Sequence, residues 1–159
     1  MATYGDQNVG ARRYDRLNKG LFSCLVIGCI YAVIVWIILV NFNGQLATFF
    51  LKQDATEEIL KNVHTYVLWN SSFYIPLAFV NIVRYMVQGM GFSRVAIFAG
   101  IIEFVSRMAV AWILVPRAGY LGVCYTNPIT WTGAAIFLVI IYFVTRRKLI
   151  RDADNMFAV

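Results

Sequence analysis

Residues 21–51, LFSCLVIGCIYAVIVWIILVNFNGQLATFFL, run for 31 positions without an Asp, Glu, Lys, Arg or His. A helix needs about 20 apolar residues to cross the ~30 Å hydrocarbon core of a bilayer, so this stretch alone predicts a membrane span. Two others repeat the pattern: Ala118 to Thr145 carries no charge, and from Asn62 to Val83 only His64 interrupts. The whole composition agrees. Of 159 residues, 60% are hydrophobic and 14% charged, against roughly 45–50% and 25% in soluble domains, and mean hydropathy is +0.68. A water-soluble globule is excluded. The expected fold class is an all-α membrane protein with four transmembrane helices.

Polar and helix-breaking residues set the expected limits of the spans. The first, about 21–42, follows Asp15, Asn18 and Gly20 and should stop at Asn41, Asn43 and Gly44. The second, about 55–88, opens on the Asp54 and Glu57 spacing of a capping box. Pro76 lies near its middle, where a kink is expected because proline lacks the backbone donor. Gln88-Gly89-Met90-Gly91-Phe92-Ser93-Arg94 supplies a tight turn between helices. Its G-x-G lacks the strand-then-helix setting of a dinucleotide loop. The third span, about 95–115, should end at Pro116, and after a connection from Arg117 to Pro128 the fourth covers about 129–145. Residues 1–20, the end of a preceding helix and a basic loop, and the tail 146–159 flank this 21–145 region.

The net charge is +6, but the basic residues cluster at the ends of apolar runs and form no soluble basic face. The lipid bilayer is therefore an expected partner, and nucleic acid is not. Ten of the 14 Lys and Arg residues fall on one side of a four-crossing chain: Arg12, Arg13, Arg16, Lys19, Arg84, Arg94, Arg146, Arg147, Lys148 and Arg151. Lys52, Lys61 and Arg117 fall on the other. By the positive-inside rule both termini are expected to be cytoplasmic, in a multi-pass protein of the cell membrane. Phe42, Phe49 and Phe50, with Tyr120, Tyr125 and Trp131, fit an aromatic belt on the outer side. A cleavable signal is disfavoured, because the first apolar run exceeds the about 7–15 residues of a signal core. Cys24 and Cys29 face apart on a helix, Cys124 falls in the outer connection, and with one His there is no structural metal site to expect.

Glu103 and Arg107 are the sharpest feature. Four residues apart inside the third span, they share a helix face and can pair. Ionisable residues at that depth face a bundle interior or a wet pathway. A cation- or proton-coupled gate, or a charge pair that exchanges partners between states, is one reading; a structural lock, the preferred one, is the other. The second span offers Asn81, Arg84 and Gln88 near one face, with Trp69, Asn70 and Tyr74 as candidate cavity lining beside the Pro76 kink. Interhelical hydrogen bonds from Asn81 and Gln88, with Arg84 snorkelling to headgroups, is the structural alternative. His64, at the outer entrance, reads as a solvated residue. Ala96 and Gly100 form a small-residue face suited to close helix packing. No paired catalytic carboxylates, G-x-S-x-G or H-E-x-x-H is present, so no enzyme, catalytic residue, cofactor site or metal site is expected.

Several ordered segments resemble the multidrug and toxic compound extrusion (MATE) transporters. Ala2 to Ala11 followed by Arg12-Arg13-Tyr14-Asp15-Arg16 is similar to the signature after the eighth helix of that family. Pro76 to Arg84 running into Gln88-Gly89-Met90-Gly91, and Gly119-Tyr120-Leu121-Gly122-Val123 with Pro128 and Trp131, continue the match across nearly the whole chain. The four spans then resemble the last four of twelve helices. The resemblance implies a C-terminal portion of an antiporter that exports amphipathic or cationic compounds in exchange for Na+ or H+, with the missing N-terminal lobe as partner and small molecules as substrates. Such a portion is not expected to transport alone. A flippase for lipid-linked precursors of the same superfamily, or a non-transporting four-helix scaffold, are the alternatives. Where some members carry a cation-binding Asp on the tenth helix, this chain has the neutral amide Asn81, and where the signature often has Gly it has Asp6.

Overall fold

The computed structural model describes residues 1–50 and 57–157, which form six helices: α1 Ala2–Gly10, α2 Tyr14–Phe50, α3 Glu57–Ser72, α4 Tyr74–Gly89, α5 Ser93–Ala118 and α6 Tyr120–Phe157. Three of them, α2, α5 and α6, are long and apolar enough to cross a membrane, and α3 with α4 makes a fourth span if the pair is counted as one. This is an all-α membrane protein with the element order expected from the charge-free runs. Lys52, and Asp54 of the expected capping box, lie outside the described residues, as do the side chains of Phe49 and Phe50.

The limits of the helices differ from the expected ones in instructive ways. α2 has 37 residues and runs through Asn41, Asn43 and Gly44, because the polar side chains there are satisfied without breaking the helix. The Asn41 amide donates to the Ile37 carbonyl at 2.7 Å, and the buried Asn43 amide donates to the His64 carbonyl at 3.2 Å. The second span is bent by 50°, but the break is at Phe73 and not at Pro76. Proline collides with the carbonyl four residues back and withholds its donor, so the helix fails one turn earlier, at Ser72. Pro76 then sits in the first turn of α4, where a missing N–H costs nothing. The restarted ladder begins with the Leu77 N–H donating to the Phe73 carbonyl at 3.3 Å.

The last two helices also override their prolines. α5 carries Pro116 inside its final turn and stops at Gly119, whose φ of +56° and ψ of −131° suit glycine and few other residues. No loop from Arg117 to Pro128 exists: α6 starts at Tyr120, encloses the buried Pro128 and continues through the basic tail to Phe157. Cys124, expected in a connection, is consequently buried within α6. Between α4 and α5 the expected turn is present. The Phe92 N–H bonds to the Val87 carbonyl and the Gly91 N–H to that of Gln88, a Schellman stop with Gly91 at φ +90°.

Packing brings both chain ends to one end of the bundle. α1 lies on the end of α4 so closely that a Cβ on Gly89 would sit 2.1 Å from the Ala2 carbonyl oxygen. Gly89 is thus required by approach, and Gly91 by conformation. Leu17, Val80, Val83, Met86, Leu138 and Tyr142 form the buried core there, and the Tyr142 hydroxyl donates to Asn18 Oδ1 at 2.7 Å. At the opposite end the Tyr120 hydroxyl donates to the Asn62 carbonyl at 2.9 Å, joining the start of α6 to α3. Large apolar side chains on α2 and α5 remain exposed, Trp112 by 84%, as expected of surfaces whose solvent is lipid or further helices.

Candidate functional site

Glu103 lies ten residues into α5, about 15 Å along the helix from its start, and so deep in the span. Its carboxylate is 13% exposed and is held from two sides. Arg107, one turn on along α5, donates from Nη2 to Oε1 at 3.0 Å, and Arg84 reaches across from α4 to Oε2. The pair expected from sequence is therefore one arm of a three-member cluster, and the second arm joins two helices. Arg84, whose snorkelling was the alternative, is turned inward to Glu103. Two guanidiniums offer far more N–H donors than one carboxylate can accept. Accordingly Nε of both Arg84 and Arg107 is buried without an acceptor, and the cluster carries a net charge of +1.

Asn81 and Gln88 do not join this cluster. Both are exposed, and the Asn81 amide donates to the Leu77 carbonyl of its own helix at 2.9 Å, not across to a neighbour. Asn81 instead lines a 450 Å³ groove between α2 and α4 with Tyr31, Ala32, Tyr74 and Leu77. A second recess of 280 Å³ shares Ala32 and Tyr74 and adds Trp36, whose indole N–H donates to the Ser72 hydroxyl at 3.3 Å beside the helix break. A third groove, 350 Å³, lies between α5 and α6 and is lined by Glu103, Ser106, Thr130 and apolar residues.

Trp69 and Asn70 are engaged by α6. Asn70 is buried, and its Oδ1 accepts from the Asn127 amide at 2.9 Å. Asn127 also reaches the Tyr66 hydroxyl at 3.3 Å. Trp69 packs edge-on against Tyr125 at 4.5 Å between ring centres, and Tyr74 faces Trp131 at 6.4 Å. Asn127 escapes the sequence reading because residues 117–128 are expected to form a connection, and Tyr66, in the second span, has no visible partner without it. The signal that could have found Asn127 is the charge-free run continuing through it to Ala118. The small-residue face is likewise corrected: Ala96 and Ala99 are buried, but a Cβ on Gly100 would meet nothing within 4 Å. Among the described residues no cluster of three or more His, Cys, Asp or Glu could hold a metal ion.

Apolar helices of spanning length, one of them broken in its middle, and an ion cluster held inside the spans define a multi-pass membrane protein. The MatE family model matches residues 1–113, and the chain belongs to that family, as its motifs implied. A relative described as "Probable multidrug resistance protein NorM", from Geobacillus kaustophilus (strain HTA426), is 26% identical over 129 residues, which cover 77% of this chain and 28% of the relative. The chain thus aligns with under a third of that relative's length. No solved structure matches it.

Proposed function

We propose that the chain is the C-terminal, four-span part of a multidrug antiporter that exports amphipathic compounds in exchange for Na+ or H+. The observation that carries the reading is the family match combined with an alignment to 28% of a multidrug-resistance relative. Transport by alternating access needs a cavity between two bodies, and this chain supplies grooves that are open on one side. Neither Asn81, a neutral amide, nor Glu103, shared by two guanidiniums, offers the coupling ion a free carboxylate. The basic end of the bundle, where both termini lie, faces the cytoplasm in this reading.

The test is ethidium efflux from energised cells. The chain alone should give background rates, and the chain co-expressed with the first two-thirds of the NorM relative should restore gradient-dependent efflux. Efflux from liposomes containing the purified chain by itself would refute the reading in favour of a small self-assembling transporter.

A further inference from the structure

The outer face of α6 changes character along its length. Ile136, Ile140 and Val144 recur every four residues and line up on one side of the helix, and they are exposed by 60%, 56% and 57%. Three, four and seven residues past Val144 stand Arg147, Lys148 and Arg151, also exposed and on the same side. The stripe therefore runs from apolar side chains into three cations. At the junction, Val144, Arg147, Lys148 and Arg151 together line a 400 Å³ recess.

These cations lack a counter-ion inside the protein. Among the described residues no carboxylate pairs with any of them, Asp152 included; both ion pairs that form belong to Glu103. The Lys148 ammonium stands 6.0 Å from the centre of the Phe92 ring, a contact that neutralises no charge. Counting every charge from 146 to 154, four cations face two carboxylates. The recess is therefore positive, and guanidiniums match the oxygens of a phosphate with charge-assisted, bidentate hydrogen bonds. Two features favour a lipid as the carrier of that phosphate. The charge-free run from Ala118 ends at Thr145, so the recess stands where headgroups begin. The apolar stripe starts within the recess at Val144 and reaches Ile136 eight residues deeper, about 12 Å at ~1.5 Å per residue, close to the ~15 Å of hydrocarbon in one leaflet.

We propose that this recess binds one anionic phospholipid, its phosphate held by Arg147, Lys148 and Arg151 and an acyl chain laid along Val144, Ile140 and Ile136. This goes beyond the general attraction of basic helix ends for anionic membranes, because it assigns the lipid to one recess on one helix. It is also independent of what the protein transports.

Native mass spectrometry of the purified chain, released from detergent micelles at graded lipid concentrations, counts the lipids retained. One copy of phosphatidylglycerol should be held about tenfold more tightly than phosphatidylcholine with the same chains, the worth of one charge-assisted bond. A cation beside an anionic headgroup contributes about fivefold, so Arg151→Gln should weaken phosphatidylglycerol by about that factor. Arg147→Gln combined with Lys148→Gln should erase the preference, and Arg147→Lys should retain most of it. The exposed pair Arg13→Gln with Lys19→Gln removes the same charge from the same end of the bundle and should leave the preference intact. Ile140→Ser should weaken both lipids, and sn-glycerol 3-phosphate, which carries the anion without the chains, should displace neither at equal concentration. Equal retention of the two lipids would overturn the proposal. So would a loss as large in the Arg13 and Lys19 pair as in the recess pair, because overall charge would then be the cause. Displacement of the lipid by glycerol phosphate would replace it with a soluble phosphate ligand. No efflux measurement enters, so this site and the transport reading fail separately.

Discussion

Glu103 shows how one side chain can carry the cohesion of two helices. Removing one member of an ion cluster inside a span leaves charge without a partner, typically at about 3–5 kcal/mol when buried, and solvent or headgroup access at the arginines lowers that figure. The two arms are unequal. Arg107 is an i, i+4 partner on the same helix and the more exposed of the two, whereas Arg84 ties α4 to α5. Arg84→Gln should therefore lower stability to SDS or heat more than Arg107→Gln, by about 1 kcal/mol or more. Combining Glu103→Gln with Arg84→Gln should cost less than the sum of the single changes, because both single changes remove the same Arg84–Glu103 bond. Additive losses in SDS-unfolding titrations would show that the groups are not coupled.

At the scale of the element, the broken second span is the feature most tied to cavity shape. Its break at Phe73 places Ser72, Tyr74 and Trp36 around one recess, and the cause is Pro76 acting one turn upstream. Pro76→Ala restores the missing donor and removes the clash with the Ser72 carbonyl, so α3 and α4 should approach a single straight helix. With 16 residues in each arm and a 50° bend, straightening lengthens the pair by about 4 Å at a rise of ~1.5 Å per residue. Spin labels at Glu58 and Gln88, read by pulsed electron resonance, measure that change. An unchanged distance would mean that α2 and α6 packing holds the bend, with the Asn70–Asn127 bond as the leading cause.

At the scale of the molecule, the charge map and the packing can be tested together. The N-terminus, the α4–α5 turn and the last turns of α6 meet at one end through the Gly5–Gly89 approach, the Tyr142–Asn18 bond and a Lys148 ammonium 6.0 Å from the Phe92 ring centre. That end holds nine of the 14 basic residues, Arg84 being turned into the cluster with Glu103, and the bias predicts its orientation. In a cysteine-free background, a single cysteine at Asp152 should react with a membrane-impermeant maleimide only after permeabilisation. A cysteine at Arg117 should react in intact cells. The reverse pattern would invert the topology, and reaction of both in intact cells would reject four crossings.

The sequence by itself determined that the chain lives in a bilayer, that it crosses about four times, where its basic residues gather and to which family its motifs belong. Those properties are sums along the chain: a charge-free run is apolar whatever packs beside it. Tertiary structure decided what depends on neighbours. Asn41 and Asn43 look like helix stops until the Ile37 and His64 carbonyls satisfy them, Pro128 looks like a helix start until α6 closes around it, and Glu103 looks like half of a pair until α4 brings Arg84 from 19 positions away. Local preferences of a few kcal/mol or less yield to packing inside a span, because there an unsatisfied polar group must find its partner within the protein.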